Sequence, residues 1–173
     1  MAIHYEAWCT VANQNGFKLD KDLYLSMAGI PANKVTQTIN EQYHLSLDPK
    51  SISRQKGLAF LELVRDHPIT EIKSVVNIVR KYHGVLPMAI GTGSRRSIAK
   101  IVIQSLCLED YIPILVAADD VMRHKPFPDT FMKCAEMMDI PYENCMVFED
   151  GNPGLEAAKT AGMTPVDVRL FNH

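Results

Sequence analysis

The 173-residue chain reads as an α/β protein, with an all-helical lobe over 1–68 and a parallel sheet flanked by helices over 69–173. Two patterns carry that reading. Before Asp66 the apolar residues recur at helical spacing and no strand-like run occurs. After His67-Pro68, short apolar runs alternate with amphipathic helical stretches, which is how parallel βα units are written. The composition, 47% hydrophobic and 22% charged, is that of an ordinary globular chain, long enough to bury a core.

In the first lobe, Ile3, Ala7 and Val11 form one stripe, Val35, Ile39 and Tyr43 a second, and Ile52, Ala59 and Leu63 a third, so at least three helices are expected. Asp48-Pro49 supplies an N-cap with proline at the first helical position. Gly16, Gly29 and Pro31 punctuate the segments between. The second part then predicts, in order, a helix over 70–82, a strand over 86–90, a helix over 95–107 and a strand over 114–117. A helix over 128–138, a strand over 146–148, a helix over 153–161 and a last strand over 165–168 follow.

Eighteen basic against twenty acidic residues leave a net charge of −2, which gives no extended positive surface for nucleic acid or an anionic membrane. Cys9, Cys107, Cys134 and Cys145 are scattered without a C-x-x-C pair, and read as buried free thiols. The first residues lack a basic stretch and an apolar segment, and no run approaches a membrane span, so a cytoplasmic location is expected.

Chemistry in such a sheet gathers at the carboxyl ends of the strands, where loops lead into helix N-termini. Three strand ends carry unusual residues. The first is Gly91-Thr92-Gly93-Ser94, whose glycines, hydroxyls and following helix suit a phosphate, although taken alone the loop reads first as a plain glycine-rich turn with Ser94 as N-cap. Arginine at position 96 breaks any G-x-G-x-x-G fingerprint. The second is His124-Lys125-Pro126, where a stiff loop presents Lys125 as a point charge for phosphate, or as a solvated lysine before a helix. The third is Glu149-Asp150 straight after an apolar run. Adjacent acids in a cleft repel unless a cation sits between them, and oxygen-only ligands point to Mg²⁺.

The order Thr92, Lys125-Pro126, Glu149-Asp150, with the following G-x-x-A-A-x-x-A-G-M over 154–163, resembles motifs two to four of the haloacid dehalogenase superfamily. The nearest likeness is to its β-phosphoglucomutase-like branch, which includes small sugar-phosphate phosphatases. His4-Tyr5-Glu6-Ala7-Trp8 and the helical lobe resemble that branch's cap domain, so the likeness covers essentially the whole chain. The resemblance implies a Rossmann-like core and an Mg²⁺-dependent phosphohydrolase acting on a small phosphorylated metabolite such as fructose 1-phosphate. Thr92 would donate its hydroxyl and Gly93 its N–H to the transferring phosphoryl group, with Ser94 beside them. Lys125 would neutralise charge, Glu149 and Asp150 would hold the metal with Asp150 the direct ligand, and His4 and Trp8 would shape the substrate pocket.

In the family an aspartate attacks phosphorus to form an aspartyl-phosphate, and a second aspartate two residues later is the acid/base. The D-x-D-G-T motif that carries both does not occur in these 173 residues. The resemblance therefore implies a core that lacks its first, central strand, an N-terminally truncated and inactive form. Asp20-Lys21-Asp22 has the spacing but no preceding strand, and Asp119-Asp120 follows a strand without Gly-Thr. Strands flanking a missing one would expose unpaired edges open to self-association. The segment 27–32 has no basic residue for a second phosphate, which favours a phosphatase over a β-phosphoglucomutase-type isomerase. A non-catalytic remnant that binds a phosphorylated ligand or a partner protein is the alternative from another class.

Overall fold

The computed structural model describes residues 2–171. The first part holds four helices: α1 (Ala2–Gln14), α2 (Lys21–Ser26), α3 (Ala32–Tyr43) and α4 (Pro49–Asp66). The extra one, α2, starts at Asp20, whose carboxylate accepts from the Leu23 N–H at 2.8 Å. Asp20-Lys21-Asp22 is thus a helix start. As its sequence predicts, α4 begins with Pro49 after Asp48, which accepts from the Ser51 N–H at 2.8 Å. Trp8 and Val11 of α1 pack with Tyr24, Met27, Val35, Ile39 and Ile52 into one buried cluster. Asn40 closes the turn before α4 by exchanging two 2.9 Å hydrogen bonds with the Leu47 backbone.

The remainder alternates helix and strand: α5 (Lys73–Tyr82), β1 (Ala89–Gly91), α6 (Arg96–Ser105), β2 (Ile114–Val116), α7 (Asp129–Met138), β3 (Met146–Glu149), α8 (Asn152–Thr160) and β4 (Thr164–Asp167). Element type and order agree with the sequence pattern. Helix α5 starts at Lys73 rather than 70, because Ile72 is still extended. Strand β1 begins at Ala89 rather than at 86, past Pro87, which has no N–H for a ladder.

All pairing is parallel. β1 aligns Ala89 with Ile114 and Gly91 with Val116 on β2, while β3 aligns Met146 with Thr164 and Glu149 with Asp167 on β4. Among the described residues these are two separate two-stranded sheets, and no strand joins β1 to β3. Helix α7 packs on β1, β2 and α8, so it ties the two pairs together from one side. Phe60 of α4, 2% exposed, packs with Ala7, Ile3 and Leu63 against Ile69, Ile98 and Val102.

Two sequence expectations need correction. Ser94 does not cap α6: the N-cap is Arg95, and the Ser94 N–H instead donates to the Thr92 hydroxyl oxygen at 3.1 Å. The cap is supplied from elsewhere in the chain, since the Arg96 N–H donates to Asp119 at 2.7 Å. Its neighbour Asp120 accepts from the Ala117 N–H and the Arg96 guanidinium, so the Asp119-Asp120 pair fastens α6 to the end of β2. The four cysteines are free thiols, but only Cys134 and Cys145 are buried; Cys9 is half-buried and Cys107, in a left-handed conformation after α6, is exposed. Among the described residues no helix is long and apolar enough to cross a membrane.

Candidate active site

The carboxyl ends of β1 and β3 open onto one cavity of about 610 Å³. His4, Trp8, Thr92, Gly93, Ser94, Lys125, Glu149 and Asp150, all singled out from sequence, line it together. They come from five places in the chain: α1, the loop after β1, the loop after β2, the end of β3, and the turn into α8.

Lys125 sits at the centre. Its side chain is 5% exposed, which excludes the solvated-lysine alternative. The ammonium donates to Glu149 Oε2 at 2.6 Å and to the Gly91 carbonyl at 3.4 Å, and lies 4.5 Å from the Phe131 ring centroid. It therefore joins the end of β1 to the end of β3, which share no ladder. Glu149 is equally committed: its Oε1 accepts from the Asp150 N–H at 2.9 Å and the Gly151 N–H at 3.0 Å. Burial alone would raise the Glu149 carboxyl; the Lys125 charge and these hydrogen bonds outweigh it and hold the group below its ordinary range.

Asp150 shifts the other way. Burial and the adjacent Glu149 charge raise its carboxyl, so its anion is the form that a cation would relieve. Of the two acids expected to hold a metal, Glu149 is engaged by an ammonium and two backbone N–H groups, and Asp150 is hydrogen-bonded to Glu149 in turn. Among the described residues no group of three or more His, Cys, Asp or Glu side chains converges. That donor set does not fit zinc, which takes three or four protein ligands, and fits Mg²⁺, which is held by one or two carboxylates with phosphate oxygens and water.

Facing these acids, the loop after β1 offers unused donors. The Thr92 N–H is spent on the Val116 carbonyl at 2.9 Å, but its hydroxyl proton and the Gly93 N–H have no acceptor among the described residues. A side chain at Gly93 would collide with the Gly29 carbonyl, so the segment between α2 and α3 lies directly on this loop. Gly154 plays the matching part in α8, where any Cβ would run into the Glu149 carboxylate. Those two close approaches explain glycine at both positions.

Sequence reasoning missed several lining residues, among them Tyr24, Ser53, Lys56 and Asp119. Lys56 left a readable signal. It falls four residues from both Ile52 and Phe60, on the apolar stripe of α4, where a lysine is out of place.

Replacing Lys125 by Met should cost about 3–5 kcal/mol in urea unfolding, because Glu149 loses its counter-charge while buried. Adding Glu149→Leu should recover part of that loss, as removing both charges does elsewhere. A loss below about 1 kcal/mol for the single variant, the scale of an exposed pair, would contradict a buried ion pair.

Residues 2–168 match the family model described as haloacid dehalogenase-like hydrolase. The chain is 40% identical over 168 residues to fructose-1-phosphate phosphatase YqaB of Escherichia coli, covering 97% of this chain and 88% of that protein. It is 28% identical to a phosphorylated carbohydrates phosphatase of Thermotoga maritima, over 93% of this chain and 74% of the relative. Among solved structures, β-phosphoglucomutase from Clostridium difficile superposes with a TM-score of 0.79 at 22% identity, covering 96% of this chain and 77% of that one. A hydrolase from Pseudomonas syringae superposes with a TM-score of 0.81 at 20% identity, over 96% and 77% of the two chains. The match along nearly the whole chain, on the fold and site just described, places it in a family: it belongs to the haloacid dehalogenase-like hydrolases.

Proposed function

We propose that this chain binds a sugar monophosphate of the fructose 1-phosphate kind and presents its phosphoryl group for hydrolysis. The observation that carries the reading is the convergence of Lys125, the Thr92 hydroxyl and the Gly93 N–H on the cavity that also holds Asp150. The likeness to two phosphatases of phosphorylated sugars supports the substrate class. The segment 27–32, without a basic residue, favours one phosphate over two.

In this reading the Thr92 hydroxyl and the Gly93 N–H bind two phosphoryl oxygens, and Lys125 offsets the charge gathering on the phosphorus-bound oxygens. Glu149 holds the Lys125 ammonium in place. Asp150 would hold Mg²⁺, which supplies charge stabilisation to the phosphate when bound. The attacking carboxylate and the acid/base belong to the D-x-D-G-T motif of the family, which these 173 residues do not contain.

The test compares phosphate release from fructose 1-phosphate, with Mg²⁺, by the 173-residue chain and by the same chain carrying an N-terminal D-x-D-G-T segment. Turnover should depend on that segment, and Thr92→Val in the extended form should lower kcat by about 10²–10³, the effect of losing one preorganised donor. Equal turnover with and without the segment would show that a different nucleophile acts.

A separate observation favours a second property. Among the described residues β1 and β3 each pair on one side only, leaving edges that can take up another strand. We propose that the 173-residue chain self-associates through them. Sedimentation velocity across a wide concentration range should show dimers or larger species; a monomer throughout would refute it.

A further inference from the structure

We propose that Asp119 is a specificity-determining residue of the cavity, its carboxylate accepting from a hydroxyl at the far end of the sugar phosphate and rejecting a second phosphate there. The inference rests on the sugar-monophosphate reading above and deepens it, from the sheet side of the cavity rather than from the helical lobe. Asp119 lines the cavity together with Ser94 and Arg95. It belongs to the short turn Ala118–Asp120 that follows β2.

That turn is pinned beside the loop after β1. The Ala118 N–H donates to the Ser94 carbonyl at 3.0 Å, one residue on from Gly93. The Asp120 carboxylate accepts from the Ala117 N–H at 2.7 Å, and the Asp120 carbonyl accepts from Lys133 Nζ at 2.7 Å. Asp119 itself is oriented through one of its two oxygens, since Oδ2 accepts from the Arg96 N–H at 2.7 Å. The other, Oδ1, makes no hydrogen bond among the described residues and belongs to an exposed side chain, so it is open to a donor in the cavity.

Nothing nearby neutralises this carboxylate. Among the described residues no cation lies within ion-pair distance of Asp119, because Lys125 is paired with Glu149 and Arg96 with Asp120. Arg95 also lines the cavity, but it is exposed and no hydrogen bond holds its guanidinium, whereas the Asp119 carboxylate is fixed. A fixed carboxylate accepts well from a hydroxyl and repels a phosphate dianion at the same point, so one group both selects and excludes. A sugar held by its phosphate at Thr92, Gly93 and Lys125 can then run past Ser94 and bring its last hydroxyl to Asp119. Inorganic phosphate has no chain that reaches it.

Trp8 is the only tryptophan and lines the cavity, so its fluorescence reports binding directly, without turnover. The experiment titrates the wild-type chain, Asp119→Asn and Asp119→Ser in Mg²⁺ with three ligands. These are fructose 1-phosphate, fructose 1,6-bisphosphate, which carries a second phosphate on the far hydroxyl, and inorganic phosphate. Both replacements keep a side-chain oxygen for the Arg96 N–H and remove the charge. The wild type should bind fructose 1-phosphate about tenfold or more tightly than the bisphosphate. Asp119→Asn should weaken fructose 1-phosphate by about three- to tenfold, the difference between a charged and a neutral acceptor, and leave inorganic phosphate within about twofold. The same variant should strengthen the bisphosphate by about as much, since a like charge is gone, and Asp119→Ser should give the same pair of signs. A merely structural role for Asp119 would move both sugars in one direction, and that result overturns the proposal. So does a wild type that binds the bisphosphate as tightly as fructose 1-phosphate, whether or not the variants fold. Unchanged fructose 1-phosphate affinity in Asp119→Asn overturns the proposal and spares the sugar-monophosphate reading; failure of the wild type to bind fructose 1-phosphate overturns both.

Discussion

The buried pair between Lys125 and Glu149 is the constraint on which the site depends. The two strand pairs share no ladder, yet Lys125 reaches the Gly91 carbonyl at one strand end and the Glu149 carboxylate at the other. One ammonium therefore sets the spacing between the donors after β1 and the acid at the turn into α8. Such a pair contributes little net stability, since desolvation consumes most of the attraction. Its effect is positional, and it separates the two acids: Glu149 is saturated by Lys125 and two backbone N–H groups, while Asp150 has a carboxyl raised by burial and by Glu149.

The cavity divides its chemistry between two supports. Loops at the strand ends hold the groups suited to a phosphoryl oxygen, and α1 and α4 hold His4, Trp8, Ser53 and Lys56. Glycines make this possible at the two tightest places. Gly93 lets the segment between α2 and α3 lie on the loop after β1, and Gly154 lets α8 begin against Glu149. The match to the haloacid dehalogenase-like hydrolases spans residues 2–168 and so includes both supports.

Much of this was legible in the sequence, and the reason is periodicity. The change of apolar spacing after His67-Pro68 placed every strand, because a buried parallel strand is written as a short apolar run whatever its neighbours are. Thr92, Lys125 and Asp150 could be found because each follows such a run, and strand ends share one rim. What failed was whatever depends on contacts distant in sequence. Ser94 has the local marks of an N-cap, but Asp119, 23 residues away from Arg96, takes that place. The solitary loop lysine and the two adjacent acids could not reveal that Lys125 pairs with Glu149. Lys56 pairs with His4 across 52 residues, and only its position on an apolar stripe hinted at burial.

The central claim is that groups scattered along the chain form one phosphate site beside one metal-binding acid. A crystal structure of the chain soaked with Mg²⁺ and tungstate, an electron-dense stand-in for phosphate, tests it most directly. The account predicts the anion against the Thr92 hydroxyl, the Gly93 N–H and the Lys125 ammonium, with the metal on Asp150. An anion bound elsewhere on the molecule, with this cavity empty, would contradict it.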